Sequence, residues 1–461
     1  MQQTGVQVMN QSSEKSKPIA RWRHKADGSP RDGRVAGRKD NLEDLMKAVK
    51  VTIILVAAAL LLFGLSGISF AFHSGGVAEC MGCHNIHDAK SSSALLVGTD
   101  ISSTCLSCHN SASPGGYHIS TDASVMPTGT PPVNMTPGGD FAWLKKTYTY
   151  SPRTGTTVTE PGDEHGHNIV AVDFGYAADG TNTTAPGGTM DATQLACNSC
   201  HDNHGKLRRL SDGTFNTTGA PIIASGSYNN SPLPAAGQAV GAYRLLRGTG
   251  SSAGSGGQVF TSIFNAVVPS TYNRTEATTA TRVAYGAGIS DWCGTCHPDM
   301  HSATSSKMTH PVNQQLGTTV AGNYNAYIGS GNMTGTQATS YDSIVPFQTD
   351  NTTDFATLAA LAVNDGTVTT GPATSDRVMC LSCHRAHATG FAHMTRWNNE
   401  GEFIAADGVW PGTDSPSSIA SAAKYAMGRT VAEMTRAYND KPETNYATYQ
   451  RSLCNKCHAK D

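Results

Sequence analysis

The sequence predicts a chain of mostly coil, with few short helices and strands, wrapped around a linear row of covalently held groups. Three observations predict it. The pattern Cys-x-x-Cys-His recurs six times in 461 residues. Between recurrences Thr, Gly, Ser and Asn dominate and aromatic residues are few, so the polypeptide alone is poor at burying a conventional core. Histidines outside the six patterns are in surplus, and several stand close behind one of them.

The first pattern is Cys80-Met81-Gly82-Cys83-His84, followed by Asn85-Ile86-His87. The others are Cys105/Cys108/His109, Cys197/Cys200/His201, Cys293/Cys296/His297, Cys380/Cys383/His384 and Cys454/Cys457/His458, and together they use all 12 cysteines. Zinc ribbons and redox dithiols also use Cys-x-x-Cys, but neither needs a histidine after the second cysteine. Two thiols at this spacing reach the two vinyl groups of one porphyrin, and the adjoining histidine lies beneath the iron. The expected fold class is therefore a multihaem c-type cytochrome with six covalently bound haem c groups. Its proximal iron ligands are His84, His109, His201, His297, His384 and His458. Porphyrins then supply the missing apolar volume, and the haem-free chain is expected to stay largely unfolded.

The formal charge of −2 hides an asymmetry. Residues 1–71 hold 11 Lys+Arg against 6 Asp+Glu, and residues 72–461 hold 22 against 29. The long part lacks a basic surface, so nucleic acid is excluded as a partner. Residues 1–45 are polar and basic, without apolar periodicity, and read as a leader or as a start assigned too far upstream. Met46–Lys50 is a positively charged start, Val51–Leu65 an apolar run, and Ser69-Phe70-Ala71 a small-x-small site, with cleavage expected before Phe72. The alternative is a retained anchor over Val51–Ala71. The predicted organisation is a leader and signal peptide over 1–71 and a hexahaem domain over 72–461.

Cys80 and Cys105 are close enough in sequence for their porphyrins to be neighbours. The Thr/Tyr alternation in Trp143–Tyr150 predicts a short strand. Residues 205–290 show turn signals and little helical pattern, and Gly248–Gly257 reads as a surface loop. Asp354–Val363 has good helix formers behind an Asp cap, and Thr430-Val431-Ala432-Glu433 is a capping box before another helix. The sixth motif lies three residues from the C-terminus, which puts that haem near the surface.

Six irons need six distal ligands. His87, His204 and His387 each stand three residues after a proximal histidine, and His301 stands four after His297. Such a second imidazole lies on the same side as the first, so it is expected to point to a different haem. His310, in Thr309-His310-Pro311, has its backbone fixed by the proline. His73 folds back towards the first pair, while His118 and His167 have no local argument beyond availability. These eight candidates compete for six places, whereas His165 and His393 are not expected to bind iron. With so much histidine, bis-histidine irons of low potential are expected, in place of the higher potentials that methionine ligation gives.

With these residues in hand, residues 72–461 resemble the outer-membrane cytochrome S (OmcS-type) family of extracellular hexahaem cytochromes. The stretches that carry the resemblance include Phe72–Cys80 (FHSGGVAEC), Tyr117–Ser120, Met135–Phe141 (MTPGGDF) and Gly166-His167-Asn168. Pro269–Ala277 (PSTYNRTEA), Cys380–His387 (CLSCHRAH) and Leu453–Asp461 (LCNKCHAKD) complete them. Several carry no ligand at all. The resemblance implies a homopolymeric filament with haems running head to tail, in alternating parallel-stacked and T-shaped pairs. It also implies that His87 binds the haem of Cys380/Cys383/His384 in the next subunit. Other redox cytochromes as partners, insoluble Fe(III) or Mn(IV) oxides, electrodes or partner cells as acceptors, and an extracellular or outer-membrane surface location follow in the same way. His165, His393 and the long leader depart from the family's pattern.

The expected function is long-range electron transfer outside the cell by an electron carrier, not an enzyme. A multihaem nitrite- or hydroxylamine-type reductase needs one iron with an open position, and here all six motifs are intact. A monomeric periplasmic or outer-membrane shuttle is the other alternative, and haem content alone does not separate it from a filament.

Overall fold

The computed structural model describes residues 80–461, apart from 93, 114–116, 153–154, 219, 254–256, 271–280, 302–310 and 420–422, together with Lys50. The chain divides into two units, 1–68 and 69–461, and all described residues but Lys50 lie in the second. The expected leader, apolar run and cleavage site, as well as His73 and His310, lie outside the described residues. Among the described residues no helix is long and apolar enough to cross a membrane.

Regular structure is sparse. The helices are α1 (Cys80–Cys83), α2 (Ile101–His109), α3 (Cys197–Cys200), α4 (Ile289–Gly294), α5 (Pro298–His301), α6 (Gly317–Ala326), α7 (Phe355–Leu361), α8 (Val431–Ala437) and α9 (Asn455–His458). Strands β1 (Tyr148–Tyr150) and β2 (Val158–Glu160) pair antiparallel, with Tyr148 opposite Glu160. Strands β3 (Arg208–Leu210), β4 (Phe215–Asn216), β5 (Ile222–Ala224) and β6 (Ala239–Gly241) form one sheet in the order β4-β3-β6-β5, in which β5 and β6 run parallel. Strands β7 (Ala266–Val267) and β8 (Ala284–Tyr285) make a third, two-stranded pair.

Local chemistry starts the longer helices. Asp100 caps α2 by accepting from Ser103 N at 2.7 Å, and Asp354 caps α7 by accepting from Thr357 N at 2.7 Å. At α8 the capping box closes reciprocally. Thr430 Oγ1 accepts from Glu433 N at 3.3 Å, while Glu433 Oε2 accepts from Thr430 N at 2.9 Å. The β1 strand and both capped helices lie where the sequence predicts them.

Two features depart from expectation. Residues 205–290 hold most of the strands, which are too short to leave an alternating pattern. The chain also does own a side-chain core. Trp143, Tyr148, Tyr324, Phe391, Trp397, Trp410, Met434, Tyr438 and Leu453 are buried together, and Trp410 stacks on Tyr438 with ring centres 4.1 Å apart. The aromatics are few but concentrated, so an average over the chain hides them. Cys383 and Cys457 pack against this cluster, which places it beside the fifth and sixth motifs.

Candidate functional site

Each attachment motif is one short turn. The proximal histidine stands four residues after the first cysteine, and its N–H returns to that cysteine's carbonyl: His84 to Cys80 at 2.8 Å, His201 to Cys197 at 2.9 Å, His297 to Cys293 at 3.1 Å, His384 to Cys380 at 3.0 Å and His458 to Cys454 at 3.1 Å. Helical spacing sets residues four apart on one face, so sulfur and imidazole address the same side.

The imidazoles are oriented by their outer nitrogen. Nδ1 of His84 donates to Ala94 O at 2.7 Å, that of His109 to Tyr117 O at 2.7 Å and that of His201 to Arg244 O at 2.8 Å. Nδ1 of His297 donates to Pro186 O at 2.8 Å and that of His384 to His393 O at 2.8 Å. A carbonyl partner fixes the tautomer and leaves the Nε2 lone pair for a metal. This is the arrangement a haem iron needs, and the donor set fits it. His393 serves through its backbone, held in a left-handed conformation at φ 58°.

The six motifs form a row in sequence order. Cys83 of the first lies within electrostatic reach of Cys108 of the second. Cys105 of the second adjoins Cys197 of the third. Cys200 then neighbours Cys296 of the fourth, Cys293 adjoins Cys380 of the fifth, and Cys383 neighbours Cys454 and Cys457 of the sixth. The junctions alternate. Second cysteines meet at the first and third junctions, first cysteines meet at the second and fourth, and at the fifth Cys383 faces both cysteines of the sixth motif.

Two distal candidates are brought opposite proximal histidines. The His387 ring centre lies 6.4 Å from that of His201, and the His167 ring centre lies 6.1 Å from that of His297. A metal–imidazole bond of about 2 Å plus about 1.1 Å to the ring centre, doubled, spans about 6 Å, so one iron fits between each pair. Burial pushes His387 down to about 3 and His167 down to about 4, with the facing histidines adding to it. Both imidazoles are thus neutral at any ordinary pH, as ligation requires.

Three distant segments position these two side chains. Gly139 and Gly166 both bridge to Ala388, His387 N–H donates to Gly138 O at 2.7 Å, and His167 N–H donates to His387 O at 2.9 Å. His167 Nδ1 donates to Ala386 O at 2.7 Å. Phe141 stacks on the His387 ring at 4.7 Å. Only glycine fits here: a Cβ on Gly138 would stand 2.7 Å from His387 Nδ1, and one on Gly139 would stand 1.8 Å from Ala388 O. The ligand-free stretch MTPGGDF therefore acts as the seat of His387.

The remaining candidates are placed differently. His118 lies near His109, and its Nε2 donates to Ser113 O at 3.1 Å. His301 Nε2 is 3.1 Å from Asp291 Oδ1 and 3.2 Å from Asn313 Nδ2. His87 and His204 are exposed. His165 is spent on structure, with Nδ1 on Trp143 O at 3.0 Å and Nε2 on Glu160 Oε1 at 2.6 Å. Sequence reasoning had no signal for the partner of His167, since its position depends on Ala386, more than 200 residues away.

Residues 73–114 match the family model described as a doubled CXXCH motif. The C-type cytochrome OmcS of Geobacter sulfurreducens is 50% identical over 443 residues, which cover 90% of this chain and 100% of that protein. The chain belongs to the OmcS family of c-type cytochromes. Two solved structures, one of OmcS nanowires by cryo-electron microscopy and one of the outer membrane cytochrome S filament, both from Geobacter sulfurreducens, agree with it in fold. Each has a TM-score of 0.76 at 50% identity, covering 85% of this chain and 100% of the solved chain. As an OmcS-family cytochrome, the chain uses its 12 cysteines to carry six covalent c haems.

Proposed function

We propose that this cytochrome is exported after removal of residues 1–71 and polymerises head to tail into a filament that conducts electrons outside the cell. Other redox cytochromes donate to it, and insoluble Fe(III) or Mn(IV) oxides, electrodes or partner cells accept from it. The observation that carries this is the ordered row of motifs: the second and third are joined from Cys197 N–H to Ser102 Oγ, the fourth and fifth from Cys380 N–H to Ser290 Oγ, and Cys383 and Cys457 of the fifth and sixth pack on one buried cluster. The haems supply the redox chemistry when bound. The chain sets their order and fixes imidazole tautomers through backbone carbonyls.

In this reading His387 opposes His201 and His167 opposes His297 as distal ligands. His118 serves near His109, and His73, His204, His301 and His310 compete for the remaining places. His87 is left for the haem of Cys380/Cys383 in the next subunit. Its neighbours support that role: Met81 is 82% and Ile86 is 79% exposed, an apolar pair uncovered beside the first motif. Those solved relatives are themselves described as nanowires and a filament.

The deciding experiment is His87→Ala in the exported protein. Filaments are expected to shorten or vanish, with one iron becoming five-coordinate and binding CO after reduction. Normal filaments with every iron six-coordinate would remove the intersubunit role. CO binding by the unsubstituted, reduced protein would instead favour a reductase with an open iron.

A further inference from the structure

Two junctions of the row are built from the same parts. At the junction of motifs two and three, Cys197 N–H donates to Ser102 Oγ at 3.2 Å. At the junction of motifs four and five, Cys380 N–H donates to Ser290 Oγ, also at 3.2 Å. Ser102 and Ser290 each stand three residues before the first cysteine of their own motif, and both are fully buried. The receiving motifs match as well. Ser199 Oγ accepts from Ala196 N at 3.1 Å, and Ser382 Oγ accepts from Met379 N at 3.2 Å. Each receiving turn thus has its first N–H groups, which a helix leaves without internal partners, taken up by two serines, one of them from the preceding motif.

The sequence marks the same two places. Three residues before the first cysteine, the other motifs carry Val77, Gln194, Arg377 and Arg451. Serine stands there only in the second and fourth motifs, the two that hand over through first cysteines. A serine hydroxyl is short and turns about one torsion, so a bond to it fixes backbone against backbone more tightly than a longer side chain does. Segments 92 and 87 residues long, Cys105 to Cys197 and Cys293 to Cys380, are closed by one device.

We propose that Ser102 and Ser290 are positioning residues for electron transfer, each clasping the first turn of the next motif and so fixing how closely the two haems of that junction approach. Neither serine touches a reacting atom. Each acts through the backbone of Cys197 or Cys380, and so through the sulfur that carries the neighbouring haem. The inference rests on the conducting role of the row. It adds that the row has two kinds of step, a clasped one at the second and fourth junctions and an unclasped one at the others.

The test uses the exported holoprotein with Ser102→Ala, Ser290→Ala and both. Iron content, the Soret circular-dichroism couplet from haem–haem coupling and the rate of electron equilibration after photoreduction are measured. Six irons are expected in every variant. The couplet should weaken in each single variant and further in the double, with equilibration slowed severalfold. Six irons with an unchanged couplet and an unchanged rate in both single variants would overturn the clasp. If an alanine variant loses haem, Ser102→Thr decides. Because it keeps the acceptor, a retained couplet supports the proposal and a lost couplet at full haem content overturns it. CO binding to the unsubstituted protein tests the conducting role separately.

Discussion

The two ends of the haem row are built in opposite ways. Around the first motif the chain offers a four-residue helix, a neighbouring turn and exposed Met81, Ile86 and His87. Around the fifth and sixth motifs it offers three buried tryptophans and a set of buried charges. There Glu160 receives both the Arg429 guanidinium and His165, and Lys146 pairs with Glu433. These charges tie β2 to the segment before α8, and the segment before β1 to α8 itself. One end is finished by its own side chains. The other leaves Met81, Ile86 and His87 exposed among the described residues.

The contrast breaks most severely at the buried charges. Arg429→Met leaves Glu160 ionised and buried, and is expected to cost about 3–5 kcal/mol in the folding stability of the holoprotein. Chemical denaturation followed by tryptophan fluorescence measures it, and a cost below about 1 kcal/mol would show the pair to be dispensable.

The same network gives a pH dependence. Burial alone would raise the Glu160 carboxyl, but the His165 hydrogen bond and the Arg429 charge outweigh it and hold the carboxyl below its ordinary value. A depressed carboxylate stabilises the fold above its unfolded pKa of about 4.3. That contribution is lost as pH falls through the lower folded value. Denaturation midpoints should therefore hold steady above this window and fall below it, and Glu160→Gln should flatten the fall.

Thr430→Ala removes the cap of α8 and is expected to cost about 1 kcal/mol, within the usual range for a lost N-cap. A Thr430→Ser control that keeps the hydroxyl should recover most of it. At the other end, Ile86→Ser should change the stability of the isolated subunit by about 0.5 kcal/mol or less, because the side chain is already in water. Its effect should appear instead in filament length by electron microscopy. A large loss of subunit stability there would make the two ends alike.

How much of this was legible in the sequence follows the range of each interaction. The six motifs were fully legible, because covalent attachment needs only five adjacent residues. The caps at Asp354 and Thr430 were legible for the same reason, each being settled within one helical turn. The sheet of β3 to β6 was not, since strands of two or three residues hold no alternation to read. Nor was the aromatic core, assembled from Trp143, Trp397 and Trp410 across more than 260 residues. His387 showed as a candidate from its spacing behind His384, but its facing partner, His201, did not. That pairing depends on Gly138, Gly139 and Gly166 bringing three remote segments edge to edge.

The most direct test is a filament reconstruction that resolves both axial atoms at the irons held by His201 and His297. The account predicts His387 Nε2 opposite His201 and His167 Nε2 opposite His297, with every other iron also gripped by two imidazoles. A different residue opposite either histidine, or a vacant position at any iron, would contradict it.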